Sequence, residues 1–237
     1  MNVRGCGILP NNNLLIANYN EDKAIMEYSD DGTHIRDITV SDTPFDLAII
    51  DGDRIAVTYT KKIMEIRNIN NKMVHMKVTF EWGCYGIPYQ NGNIYTLLVI
   101  EGIVVMDMSG KRLRTIDGKF AALGIYHITT TNNRIYCTNH AKNSVYCCSM
   151  TSEDIWTFTG QSLVNARGIS ADGDENVFVV GTSSNNLMMI QHDGKVSKTL
   201  LTESDGLKNT VPVHYNRDKK LLLLCNANGD AFLYSVI

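Results

Sequence analysis

Phe45, Tyr85, Tyr126 and Arg167 follow one another at intervals of 40, 41 and 41 residues. Aromatic rings and guanidinium groups dominate interface energetics, and ring faces beside positive charge also grip single-stranded nucleic acid. Such chemistry at fixed spacing predicts a contact surface built from equivalent positions of a repeat. One residue further along stand Gly7, Asp46, Gly86, His127, Gly168 and His214. His127 and His214 have the chemistry of an acid, a base or a metal ligand. A hard cation needs several converging oxygens, and this set offers one carboxylate and three glycines.

No Gly-x-Ser-x-Gly elbow, phosphate-binding loop or dinucleotide fingerprint is present. The six cysteines show no C-x-x-C spacing, so a zinc framework is not expected. Most lie in apolar runs and read as buried, reduced thiols of a cytoplasmic protein. Cys147 and Cys148 are neighbours in such a run, and alternation predicts one of the pair buried against an adjacent sheet. The chain is therefore expected to bind rather than catalyse, without cofactor or metal; a hydrolase or lyase is the enzymatic alternative.

Positioning falls to short β-rich runs separated by turn residues such as Asp51-Gly52, Asn91-Gly92, Asp172-Gly173 and Asn228-Gly229. Helical periodicity is scarce. The apolar residues that open each unit are read as Ile8, Leu47, Ile87, Ile128, Ile169 and Tyr215, at intervals of 39, 40, 41, 41 and 46. A second marker keeps step through Ile16, Ile55, Ile94, Ile135, Val177 and Leu222. In the second unit four strands are expected near 45–50, 54–59, 63–68 and 74–80. Four antiparallel strands in about 40 residues is the size of one propeller blade, and six blades fill the chain. The expected fold is all-β, a six-bladed β-propeller over 1–237 as one domain. The last blade lacks room for an outer strand, which is read as a piece of a longer chain.

The composition agrees. In 237 residues, 44% are hydrophobic and 20% charged, as in an ordinary globular protein. A net charge of −3 exerts no strong overall pull on phosphate or anionic membrane. No run of about 18 apolar residues occurs, so no membrane association is expected.

The fifth unit carries a resemblance. It reads Arg167, Gly168, Ile169, then Asp172, a strand from Asn176 to Gly181, Asn185 and Asn186, and an Asp193-Gly194 turn before Leu200. This resembles the NHL-type repeat at the C-terminus of tripartite-motif proteins, especially divergent invertebrate members. The fourth unit keeps the middle of the pattern, while Lys23 and the Lys61-Lys62 pair replace its Asn in the first two. The resemblance implies a propeller that selects substrate or RNA for a ubiquitin ligase, with the catalytic modules elsewhere.

Loops entering first strands, and those joining second to third strands, share one face. That places Lys61, Lys62 and Lys142 beside Phe45, Tyr85, Tyr126, Arg167, His127 and His214. The expected partner is a protein, with single-stranded RNA as the alternative. The isolated domain is expected to be a monomer.

Overall fold

The computed structural model describes residues 2–236. Twenty-three strands form six antiparallel sheets, each meandering from an inner to an outer strand. Blade one holds β1 (Val3–Ile8), β2 (Leu14–Asn18), β3 (Ala24–Tyr28) and β4 (His34–Thr39). Blade two holds β5 (Pro44–Ile49), β6 (Arg54–Tyr59), β7 (Ile63–Asn68) and β8 (Val74–Thr79), within a residue of the expectation. Blade three holds β9 (Tyr89–Gln90), β10 (Asn93–Leu98), β11 (Gly102–Asp107) and β12 (Arg112–Ile116). Blade four holds β13 (Ile125–Thr130), β14 (Arg134–Asn139), β15 (Ser144–Ser149) and β16 (Asp154–Thr159). Blade five holds β17 (Ala166–Ala171), β18 (Val177–Gly181), β19 (Asn186–Ile190) and β20 (Ser197–Leu201). Blade six has three strands, β21 (Thr210–Asn216), β22 (Leu221–Asn226) and β23 (Ala231–Ser235). The molecule is a six-bladed β-propeller. Short 3-10 turns at Gly118–Ala121 and Glu203–Asp205 are the helical segments among the described residues, and none is long and apolar enough to cross a membrane.

The core is divided among the seams. Leu15, Ile25 and Ile38 of blade one meet Leu47, Ile55 and Val57 of blade two. Equivalent clusters fill the following seams around the ring. The last joins Val3, Cys6, Ile8 and Ile16 to Leu223 and Cys225, closing blade six on blade one. Middle strands are covered on both faces, so they read as largely apolar runs rather than alternating ones, with Glu27, Glu65 and Arg67 as buried charged exceptions. This also corrects the expectation for Cys147 and Cys148: both are fully buried, because neighbouring blades cover both sides of β15. All six cysteines are free and buried. Burial pushes the thiols of Cys84 and Cys147 up, to about 12 and about 11, so they stay protonated at neutral pH.

First strands crowd the axis. A Cβ on Gly168 would lie 2.2 Å from the carbonyl oxygen of Val211 in the next blade, so only glycine allows that approach. In blade three, Pro88 has no N–H to give, and the regular inner ladder shrinks to β9. The surrounding backbone still pairs: Tyr85 donates to Leu97, Leu97 to Gly86, and Tyr95 to Pro88.

Candidate functional site

In five of the six blades the first strand carries an irregularity where it enters its blade. In blade two the pairing steps from Pro44 to Asp46 and leaves out Phe45. Blade four steps from Ile125 to His127 and leaves out Tyr126. In blade five the break spans Arg167 and Gly168, and in blade one it leaves out Arg4. A bulge of this kind frees one residue from the ladder and re-aims its side chain. Here the freed side chains collect at one end of the axis.

The register also corrects two markers. Val3 pairs with Asn18 as Pro44 pairs with Tyr59, so Arg4, not Cys6, is the blade-one partner of Phe45. In blade six Thr210 pairs with Asn226 and Val213 with Leu224, so Val211 takes that place. His214 therefore sits two residues further down its strand than His127. A slip of two residues keeps the alternation of faces, which is why periodicity did not reveal it.

The rings form a continuous run. Phe45 meets Tyr85 edge-on at 5.0 Å, and Tyr85 meets Tyr126 at 4.8 Å. Three further rings extend it: Tyr19 to Phe45 at 6.0 Å, His127 to Phe45 at 5.5 Å, and His140 stacked on Tyr126 at 5.3 Å. Tyr19 and His140 follow β2 and β14 directly, on the loops that share this face. Neither was singled out in the sequence; a second repeat position, the residue after each second strand, carries them. The preceding blade fixes the backbone beneath. The Thr58 hydroxyl donates to the Tyr85 carbonyl, the Gly86 N–H to Tyr126, and the Thr138 hydroxyl to Arg167.

Two arginines flank the rings. The Arg4 guanidinium lies 5.7 Å from the centre of the Tyr19 ring. Arg167 is half-buried, and its Nε donates to Asn165 Oδ1 at 3.1 Å. Burial, then the nearby positive charge of Arg4, holds its pKa below the usual guanidinium value. Burial first, then Arg167 and Arg4, drives the His127 imidazole down to about 3, so it is neutral at physiological pH. Among the described residues neither arginine forms an ion pair.

The lysines stand at the rim, where Lys61 and Tyr19 line one shallow pocket with Glu21 and Asp22. Lys61 Nζ lies 3.1 Å from Asp42, which Lys23 also approaches at 3.9 Å. Lys62 and Lys142 are exposed on the rim. Lys62 holds a left-handed conformation, φ 68°, just before its third strand. Lys23, Asn143 and Asn185 do the same in their blades, so the Asn of the repeat pattern marks a turn requirement that lysine fills in blades one and two.

The opposite end of the axis opens into a cavity of about 690 Å³, lined by the inner strands of the blades. His214 faces this cavity and not the ring of aromatics. Asp46 lies in its wall, where Oδ1 accepts from the Leu47 N–H at 2.9 Å and Oδ2 from the Ile87 N–H at 3.2 Å. Burial raises the Asp46 carboxyl to about 7 and lowers His214 to about 4. Arg217 reaches over the mouth to the carbonyls of Ala171 and Thr130. Among the described residues no three His, Cys, Asp or Glu side chains converge as a metal ion would require.

No protein-family model matches the sequence, and no curated protein matches it in sequence. Solved structures share the fold. A protein of unknown function from Bacteroides thetaiotaomicron aligns over 98% of this chain and 68% of its own, with 13% identity and a TM-score of 0.77. Virginiamycin B lyase from Staphylococcus aureus aligns over 99% of this chain and 84% of its own, with 15% identity and a TM-score of 0.67. The computationally designed protein Ika8 aligns over 99% and 71%, with 10% identity and a TM-score of 0.62. Identities this low establish the propeller architecture alone.

Proposed function

We propose that this propeller is a non-catalytic docking platform, and that a protein partner seats on the aromatic end of its axis. One observation carries this: an unbroken run of rings across blades one to four, with Tyr19, Tyr85 and Tyr126 partly exposed over a buried Phe45, flanked by two arginines that have no acidic partner among the described residues. Aromatic and arginine side chains at the centre of a patch are what protein interfaces use for affinity. The polar groups nearby are committed to structure. The Thr58 and Thr138 hydroxyls hold carbonyls, and both Asp46 oxygens hold backbone N–H groups. That supports binding over catalysis.

A protein is favoured over RNA by the rim. A nucleic-acid track needs continuous positive charge along a backbone path. Here Asp42 engages Lys61 and Lys23, and exposed Glu21 and Asp22 interrupt the path. The similarity of blade five to NHL repeats supports a substrate-recognition role in a tripartite-motif ubiquitin ligase in the cytoplasm, with no cofactor.

The test places a photo-reactive residue at Lys142 on this end, or at Asp218 on the other, and analyses captured protein and RNA. Specific protein capture from position 142 is expected, competed by wild-type chain but not by the Tyr126→Ala, Arg167→Glu variant. Equal capture from both ends, equal competition by the variant, or capture of RNA in place of protein overturns it.

A further inference from the structure

The ring of side chains at this end of the axis is broken at blade six. Val211, the blade-six counterpart of Phe45, is a small buried residue between the blades of Arg4 and Arg167. Arg4 and Arg167 thus approach one another around a position that supplies neither ring nor charge. Two like charges held close and half out of water raise the energy of the empty site. Nothing among the described residues relieves it. Asp46, the acid nearest along the equivalent strands, turns its oxygens to Leu47 and Ile87. Asp42 is taken by lysines.

Two polar atoms here are orphaned. Arg4 Nε is fully buried with no hydrogen-bond partner, and so is Nε2 of His127, a residue only 6% exposed. Buried polar atoms are paired in the great majority of cases, so an orphaned donor beside a spare guanidinium marks the place of an absent acceptor.

We propose that the gap over blade six is a carboxylate pocket, in which Arg4 and Arg167 grip a carboxylate of the docked protein partner. This rests on the docking reading above and names its anchor. A carboxylate accepts from two guanidiniums at once and offers an acceptor to the Arg4 Nε–H. The neutral His127 imidazole can donate to the same group. The pocket suits a single anion: rings wall one side, and the exposed carboxylates of Glu21 and Asp22 on the rim disfavour a polyanion.

The arginine Nε–H signals of the whole chain report on this directly in a nitrogen-15 NMR titration with acetate, against chloride at equal ionic strength. Arg4 and Arg167 signals are expected to move together and saturate with acetate, and not with chloride. Arg167→Gln should weaken acetate about tenfold, moving the midpoint of the Arg4 response to about tenfold higher acetate. The wild-type titration stands alone if that variant fails to fold. The peptides acetyl-Ala-Ala-Leu with a free terminus and acetyl-Ala-Glu-Ala-amide then separate a C-terminal carboxylate from a side-chain one. Equal response to chloride and acetate overturns the pocket, as does tighter binding of inorganic phosphate together with a single-stranded oligonucleotide. If acetate fails while position 142 still captures protein, the pocket falls and docking stands. If acetate binds while capture is not face-specific, docking falls and a small-anion site remains.

Discussion

Asp46 on one side, and the buried His127 with the half-buried His214 on the other, pull stability in opposite directions as pH changes. His127 and His214 titrate near 6.5 in an unfolded chain and are held to about 3 and about 4 in the fold. As pH falls below about 6.5 the unfolded chain gains protons that the fold refuses, and stability is lost at about 1.4 kcal/mol per pH unit for each. Asp46 does the reverse. Its carboxyl titrates near 3.8 when unfolded and near 7 in the fold. Stability it confers at low pH is lost as pH rises through that window. Two protons against one leave a net rise from pH 4 to about 6.5, then a shallow decline towards neutrality. Urea melts across pH 4–8 should show this maximum. In Asp46→Asn the acid limb should steepen from about 1.4 to about 2.7 kcal/mol per pH unit, and the decline should vanish. An unchanged profile would show that burial does not set these groups. The shifts were not legible in the sequence, where His127 and His214 looked equivalent. The two-residue slip in blade six sends one to the aromatic end and the other to the cavity.

At the level of strands, bulge and threonine work together. The bulge turns Phe45, Tyr126 and Arg167 out of the ladder, and a bond from the blade before pins the carbonyl of Arg167. Thr58 and Thr138 stand at equivalent ends of β6 and β14, yet nothing about a threonine in a β-rich run announces that its hydroxyl crosses to the next sheet. Thr138→Val keeps the shape of the side chain and strands the Arg167 carbonyl. It should cost about 1–3 kcal/mol, measured by chemical denaturation. The same variant should weaken docking at position 142, because Arg167 loses its anchor. A cost within error would mean water replaces the hydroxyl. Strand positions were legible because turns punctuate the chain and middle strands are largely apolar. The bulges were not, since one extra residue leaves no mark in composition.

The whole molecule closes without an added strand among the described residues. Blade six stays three-stranded, and the ring is sealed by packing and by the Val3 N–H on the Ala227 carbonyl at 3.3 Å. Leu223 is fully buried in that seam. If the seam is as tight as the others, Leu223→Ala should cost about 2–5 kcal/mol, like any core truncation. Unfolding should remain one transition, since each blade depends on its neighbours for half its buried surface. A small cost, or a separate early transition, would show that the ring opens there first.

The sequence by itself determined the number of blades, the order and place of most strands, and the face on which Phe45, Tyr85, Tyr126 and Arg167 meet. Those follow from local alternation, turn chemistry and a period, all of which are written along the chain. Only the tertiary structure decided that Arg4 belongs with them, that His214 does not, and that two arginines are left without an acid among the described residues. Register at the ring's first and last blades, and the pairing of charges across blades, depend on which strands become neighbours in space, and a slip of two residues leaves every local pattern intact.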